Sequence, residues 1–256
     1  MSDLHLACEA GDANAVRRLV EAGAELEATD GRSHTALTLA SYNGHVDVMK
    51  YLTDAGADLE ATGAFGDTAL VHAILGRHLE AVKYLVGAGA DVQATGMHGR
   101  TTVEIASTYG CVNVVRFLVE AGVPLDGTSG SGHSALVDAM YHGRLDVVEY
   151  LVNAGIGMEA TTRCKYTALM RASCIGDMGF VRCLVGAGAN MEATGMDGHS
   201  ALTLAGRCGH MDVVHFLIEK GALRGSACRG APVPHFTITS ERANSSRAWA
   251  ARSRLC

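Results

Sequence analysis

The sequence predicts an all-α solenoid of stacked helix-turn-helix units with projecting hairpin-like loops, and three observations predict it. Gly23, Gly56, Gly89, Gly122, Gly155, Gly188 and Gly221 recur at a constant interval of 33 residues. An alanine column (Ala7, Ala40, Ala73, Ala106, Ala139, Ala172, Ala205) and a leucine column (Leu19, Leu52, Leu85, Leu118, Leu151, Leu184, Leu217) keep the same period. Within each interval, two short runs with apolar residues at helical spacing alternate with polar, glycine-rich stretches, so the array has to be read before any isolated motif.

Each element of the unit has a local reason. Thr35 is an N-cap, because its hydroxyl can accept from an otherwise unpaired amide of the first turn; Thr68, Thr101, Ser134, Thr167 and Ser200 repeat the choice. Ala36, Leu37, Leu39 and Ala40 then make a short helix with an apolar face, closed by the Asn43-Gly44 turn. Val46 to Thr53 supply a second helix. Gly56 follows where the chain must take a positive φ, a conformation open to glycine without a Cβ clash. The stretch from Ala57 to Asp67 is too polar for a core strand and predicts a turn or short hairpin.

The 33-residue period, the T-x-L-x-x-A helix start, the Gly44-His45-Val46-Asp47 turn and the G-A-D-x-x-A joint together resemble the ankyrin repeat family. The resemblance covers residues 1–223, as repeats of approximately 1–28, 29–61, 62–94, 95–127, 128–160, 161–193 and 194–223. It implies helix pairs stacked into a solenoid, with loops projecting at a steep angle to line a concave face. The sequence departs from the family in three places. The family's TPLH tetrapeptide appears as TALT, TALV, TTVE, SALV, TALM and SALT, without its proline or histidine. Arg77-His78 stands where Gly-His is expected, so that turn must use a non-glycine conformation or shift by one residue. The asparagine usual near the hairpin is replaced by Glu27, Glu60, Gln93, Asp126, Glu159 and Glu192.

That acidic column predicts one of two things. It is either a ladder of charge along one edge of the stack, attractive to basic partners, or a set of carboxylates bonded to amides of their own turns. Net charge sharpens the first reading. The chain carries −6 in total, but residues 1–223 hold 15 Lys+Arg against 26 Asp+Glu, and residues 224–256 hold six Arg against Glu241 alone. The acidic body argues against nucleic acid as a ligand, since phosphate binding needs the opposite sign. The basic stretch 224–256 lacks a helical period and reads as a disordered tail, a cap over the last helix or an artefact of gene prediction.

Catalytic and metal chemistry find little footing. Eight cysteines are scattered singly, without a CxxC pair, which fits a reducing compartment and predicts no metal site. No HExxH, G-x-S-x-G, phosphate loop or dinucleotide fingerprint occurs, so the sequence predicts no enzyme and no cofactor. The chain opens without a secretory signal and contains no run of 18 apolar residues, giving the expectation of a cytoplasmic, non-membrane protein, with the nucleus as a second compartment.

The resemblance implies that partners are held by loop tips and the exposed surface of each first helix. Carried over position by position, those residues are Arg32, His34, Tyr42 and Asn43; Phe65 and Asp67; Met97, His98, Arg100 and Tyr109; His133, Tyr141 and His142; Arg163 and Tyr166; Met196, Asp197, His199 and Arg207. Their mixture of Tyr, Phe, Met, Arg and His is what interface hot spots prefer. Phe65 and Tyr166 are expected to stand exposed or to tuck onto the adjacent loop. The function implied is a monomeric protein-binding scaffold or adaptor; the alternative is a targeting or regulatory fragment of a larger protein.

Overall fold

The computed structural model describes residues 2–63, 66–96, 99–125, 134–159 and 165–222; the tail beyond 222 lies outside the described residues. Two units divide at Ser131/Gly132. The first holds α1 (Asp3–Ala10), α2 (Ala13–Glu21), α3 (Ala36–Tyr42), α4 (Val46–Asp54), α5 (Ala69–Leu75), α6 (Leu79–Gly87), β1 (Thr95–Gly96), β2 (Arg100–Thr101), α7 (Thr102–Tyr109) and α8 (Val112–Glu120). The second holds α9 (Ala135–Tyr141), α10 (Leu145–Asn153), α11 (Ala168–Ile175), α12 (Met178–Gly186), α13 (Ala201–Cys208) and α14 (Met211–Glu219).

Helices start where the capping residues stand. The hydroxyls of Thr35, Thr68, Thr101, Ser134, Thr167 and Ser200 each accept from the amide three residues on. At Thr101 the bond is reciprocated, since the buried Glu104 carboxylate accepts from the Thr101 amide at 2.9 Å, closing a capping box. The first helix keeps the histidine that later units lack. His5 is buried, its Nε2 donates to the carbonyls of Ala28 (3.0 Å) and His34 (3.1 Å), and its Nδ1 accepts from Ser2 Oγ.

Second helices end as the glycine column predicts. Gly23, Gly56, Gly89, Gly122, Gly155, Gly188 and Gly221 all have φ between 85° and 101°. The next amide then reaches back to a carbonyl in the last turn, as Ala57 N does to Leu52 O at 2.9 Å. Between helices, glycines again take the left-handed region, except in the third pair. There Arg77 itself adopts φ 64°, so the turn keeps its register and accepts a non-glycine residue. The residue before it, Gly76, has an ordinary φ of −71°, but a Cβ there would lie 2.1 Å from the Tyr42 carbonyl oxygen. Glycine is needed at 76 for space, and Arg77 carries the turn's left-handed conformation at a cost of about 1–2 kcal/mol.

Packing runs in two rows within each unit. In the first, α1, α3, α5 and α7 pack in succession, as do α2, α4, α6 and α8; in the second, α9, α11 and α13 form one row and α10, α12 and α14 the other. Leu37, Leu70 and Ile74 meet Met49, Leu52 and Leu85 in the first core, and Leu136, Leu169 and Met170 meet Leu151 and Leu184 in the second, all fully buried. At about 2 kcal/mol per buried aliphatic side chain, these repeated contacts carry the fold. Helix α2 buries only Val16 and turns Asn14, Arg17, Arg18 and Glu21 to solvent, as a polar end requires. In α14, Val213 and Leu217 are buried while Ile218 is exposed.

Candidate partner-binding surface

The loops between helix pairs form tight turns that fix the residues at their tips. Asp30 N donates to His34 O at 2.9 Å, and Gly195 N to His199 O at 3.1 Å, each pair bracketing three residues at the turn. In one loop the pairing extends to the two-residue antiparallel ladder β1–β2, with Thr95 opposite Thr101.

The acidic column does not bond within its own turns, and Glu27, Glu60 and Glu159 stay exposed while reaching to the next loop. Glu27 Oε1 accepts from the Asp58 amide at 2.8 Å, Glu60 Oε1 from the Asp91 amide at 2.8 Å, and Glu159 Oε1 from the Asn190 amide at 2.9 Å, each 31 residues further on. The bonds cross to the next loop and do not close within their own turn. Asp58, Asp91 and Asn190 in turn accept from the amides of Glu60, Gln93 and Glu192. These three loops are thus tied to their neighbours by an alternating relay. Where the column reads Gln93, the residue 31 positions on is Pro124, which has no N–H to donate.

Four predicted contact residues converge on one open groove in the first unit. Arg32 and His34 come from the loop after α2, and Tyr42 and Asn43 from the end of α3; Glu9, Asp30, Leu39, His72 and Leu75 complete a lining around roughly 710 Å³. Asp30 anchors the loop, its Oδ1 accepting from the amides of Arg32 and His34 at 2.8 Å each. Burial alone would raise its pKa, yet these amides and the neighbouring His34 hold the carboxyl below the usual carboxylate range. On the floor, the His72 ring meets His34 edge-on at 5.2 Å between centroids and Tyr42 at 6.2 Å. Burial, reinforced by His34, pushes His72 down to about 4 despite the nearby Asp67 carboxylate, so its imidazole is neutral at physiological pH. The groove therefore offers a neutral aromatic floor, with Tyr42 49% exposed, under a rim carrying both charge signs.

The other predicted residues divide sharply. Met196, 72% exposed, stands free at its loop tip, and Tyr109, His142 and Arg207 are also exposed. His199 contacts the Arg207 guanidinium, and its amide donates to Asp197 Oδ1 at 3.2 Å. Tyr141 is half-buried, with the Arg171 guanidinium 3.9 Å from its ring centroid. Arg100 folds back onto α7, donating to Glu104 O and Thr108 Oγ1.

Two of the predicted contact residues are buried, Tyr166 in the tucked position that is one of the two expected for it. Tyr166 is buried and donates its hydroxyl to Asp197 Oδ2 at 2.5 Å; a Cβ on Gly195 would lie 2.4 Å from its ring, so the next loop closes directly over it. Asp67 is buried likewise, beneath Gly96 of the following loop. Phe65, Met97, His98, His133 and Arg163 lie outside the described residues.

Sequence reasoning missed three buried polar residues of the first helices. Leu6, Leu39, His72, Ile105, Asp138, Arg171 and Leu204 occupy one column, in which His72, Asp138 and Arg171 are polar and buried. The departure from an apolar column was the available signal. Among the described residues, no group of three or more His, Cys, Asp or Glu is placed to hold a metal ion, and no helix is long and apolar enough to cross a membrane.

With this geometry, comparison with known proteins identifies the class. The family model described as ankyrin repeats (3 copies) matches residues 4–96, 94–163 and 154–224, and the chain belongs to the ankyrin repeat family. Among solved structures, the human ASB11 ankyrin repeat domain is similar with a TM-score of 0.78 and 23% identity, covering 88% of this chain and 100% of that one. The ankyrin repeat domain of Bcl-3, a member of the IkappaB protein family, is similar with a TM-score of 0.75 and 28% identity, covering 84% of this chain and 98% of that one. No curated protein matches the sequence. Ankyrin repeats generally mediate protein–protein interaction.

Proposed function

We propose that the chain is a non-catalytic scaffold or adaptor that binds a protein partner through its loop tips and first-helix surface, centred on the Arg32–His34–Tyr42–Asn43 groove. The observation that carries the reading is the convergence of those four side chains, from a loop and a helix end, around an open concavity with an aromatic floor. A partner side chain seated there desolvates against Tyr42 and His34 and meets Arg32 or Asp30 at the rim, the arrangement that concentrates binding energy in few residues. Tyr109 in the first unit, and His142 and Met196 in the second, are exposed and serve as further contact candidates, each within its own unit. Glu27, Glu60 and Glu159 stay exposed while bonded to their neighbours, so the acidic excess of the body favours partners with basic segments over nucleic acid or anionic membrane. The protein acts as a cytoplasmic monomer in this reading.

The test is affinity capture from lysate by the full chain, with partners identified by mass spectrometry. Tyr42→Ala and Arg32→Ala are expected to lower recovery of the principal partner at least tenfold, with the thermal midpoint within about 2 °C of wild type because both side chains are exposed. Undiminished capture by both variants would overturn the assignment of this groove.

A further inference from the structure

The last turns of two neighbouring first helices in the second unit bring two sulfurs together. Cys174, next to last in α11, and Cys208, last in α13, have their Sγ atoms 3.5 Å apart. Cys174 is buried, whereas Cys208 is half-exposed, so a small oxidant can reach one sulfur while the other waits behind it. Cys208 directly precedes the helix-ending Gly209 (φ 84°), and Cys174 stands two residues before Gly176 (φ 81°).

The chemistry of the two thiols is unequal. The hydrogen bond from the Cys174 thiol, outweighing burial and aided by the Arg207 charge, holds Cys208 below the ordinary thiol range. Giving that hydrogen bond, together with burial, pushes Cys174 up in spite of Arg171. Other cysteines differ. Cys8 is pushed up to about 12 by burial, and Cys183 is raised by burial and by Glu149.

We propose that Cys174 and Cys208 form a redox-reactive dithiol, converted to an intramolecular disulfide by a peroxide-class oxidant and restored by a thiol reductant. The Cys208 thiolate attacks one peroxide oxygen and breaks the O–O bond, giving a sulfenic acid and hydroxide, which takes up the proton released when Cys208 ionised. The Cys174 sulfur then attacks the Cys208 sulfur; the S–O bond breaks, and the departing hydroxide leaves as water with the Cys174 proton. Two thiols lose two electrons and two protons, and one hydrogen peroxide becomes two waters. A disulfide needs sulfurs about 2.05 Å apart, so they must close by about 1.5 Å, a movement made at helix ends. The product ties α11 covalently to α13, across one of the neighbour interfaces on which a repeat array depends.

The full-length reduced chain is treated with a small excess of hydrogen peroxide, alkylated and digested with trypsin. The expected result is a single disulfide-linked species joining peptide Ala172–Arg182 to peptide Cys208–Lys220, formed before the peptide beginning at Cys183 is modified and reversed by dithiothreitol. The oxidised chain should also melt several degrees higher, and Cys208→Ser should abolish the rise. Recovery of both peptides individually alkylated or overoxidised, or linked to other cysteines in preference to each other, would overturn the proposal. The peptide readout on wild-type protein decides even if the variant fails to fold.

Discussion

The two units fill equivalent positions with different chemistry, and the contrast separates what builds the array from what individualises it. In the first, Gly44 is overlain by the next unit's histidine: a Cβ there would lie 2.5 Å from the His78 ring. In the second, Gly176 is overlain in the same way by His210, but Gly143 has the same left-handed backbone, φ 68°, with nothing within 4 Å, because Asp177 stands where the histidine would be. The equivalent first-helix positions of the two units diverge too. His72 leaves an open groove beside Tyr42, while Arg171 lies across Tyr141. One backbone plan therefore tolerates either a packed or an open junction, and the side chain 34 residues downstream decides which.

Breaking the turn contrast gives the largest expected effect. Gly44→Ala combines left-handed strain with a clash against the His78 ring and should cost about 2–5 kcal/mol; Gly143→Ala suffers the strain alone, about 1–2 kcal/mol. Denaturant unfolding of the two variants checks the difference, and equal losses would show that the histidine yields freely.

The groove contrast is sharpened by pH. The native His72 imidazole takes a proton only near pH 4, whereas in the unfolded chain it does so near 6.5. The unfolded state therefore binds more protons in that window, and stability is full above about pH 6.5 and falls as pH drops toward 4. The loss amounts to about 3 kcal/mol from this residue. His72→Leu, which restores the apolar character of its column, should melt with a visibly flatter dependence between pH 6.5 and 4. An unchanged slope would assign the acid sensitivity to other groups.

A smaller effect tests the loop relay. Glu60→Ala removes the bond to the Asp91 amide and should cost about 1 kcal/mol, while Gln93→Ala, facing a proline, should change stability by less than about 0.5 kcal/mol. Smallest, and opposite in sign, is Arg77→Gly: it relieves a left-handed non-glycine residue and should stabilise by up to about 1 kcal/mol, net of the entropy glycine adds to the unfolded chain. Paired chemical-denaturation curves read both.

Much of the fold was legible because its signals are local. A hydroxyl three residues before a free amide makes a cap wherever it stands, and a glycine column at a fixed period marks a left-handed stop whatever surrounds it. The site was legible only in part. Tyr166 and Met196 both read as loop-tip residues, yet one is covered by the next loop and the other stands in solvent. That outcome depends on Gly195 and Asp197, thirty residues away. The same holds for Glu60, whose acceptor role needs an amide from the following unit.

The sequence by itself determined the 33-residue unit, its two helices, its caps and its glycine turns, because each rests on interactions spanning a few residues. The tertiary structure alone decided which polar side chains are consumed in joining one repeat to the next and which remain exposed. That decision is set by distances between residues 31 to 36 positions apart, fixed only when helix pairs pack and bury their apolar faces.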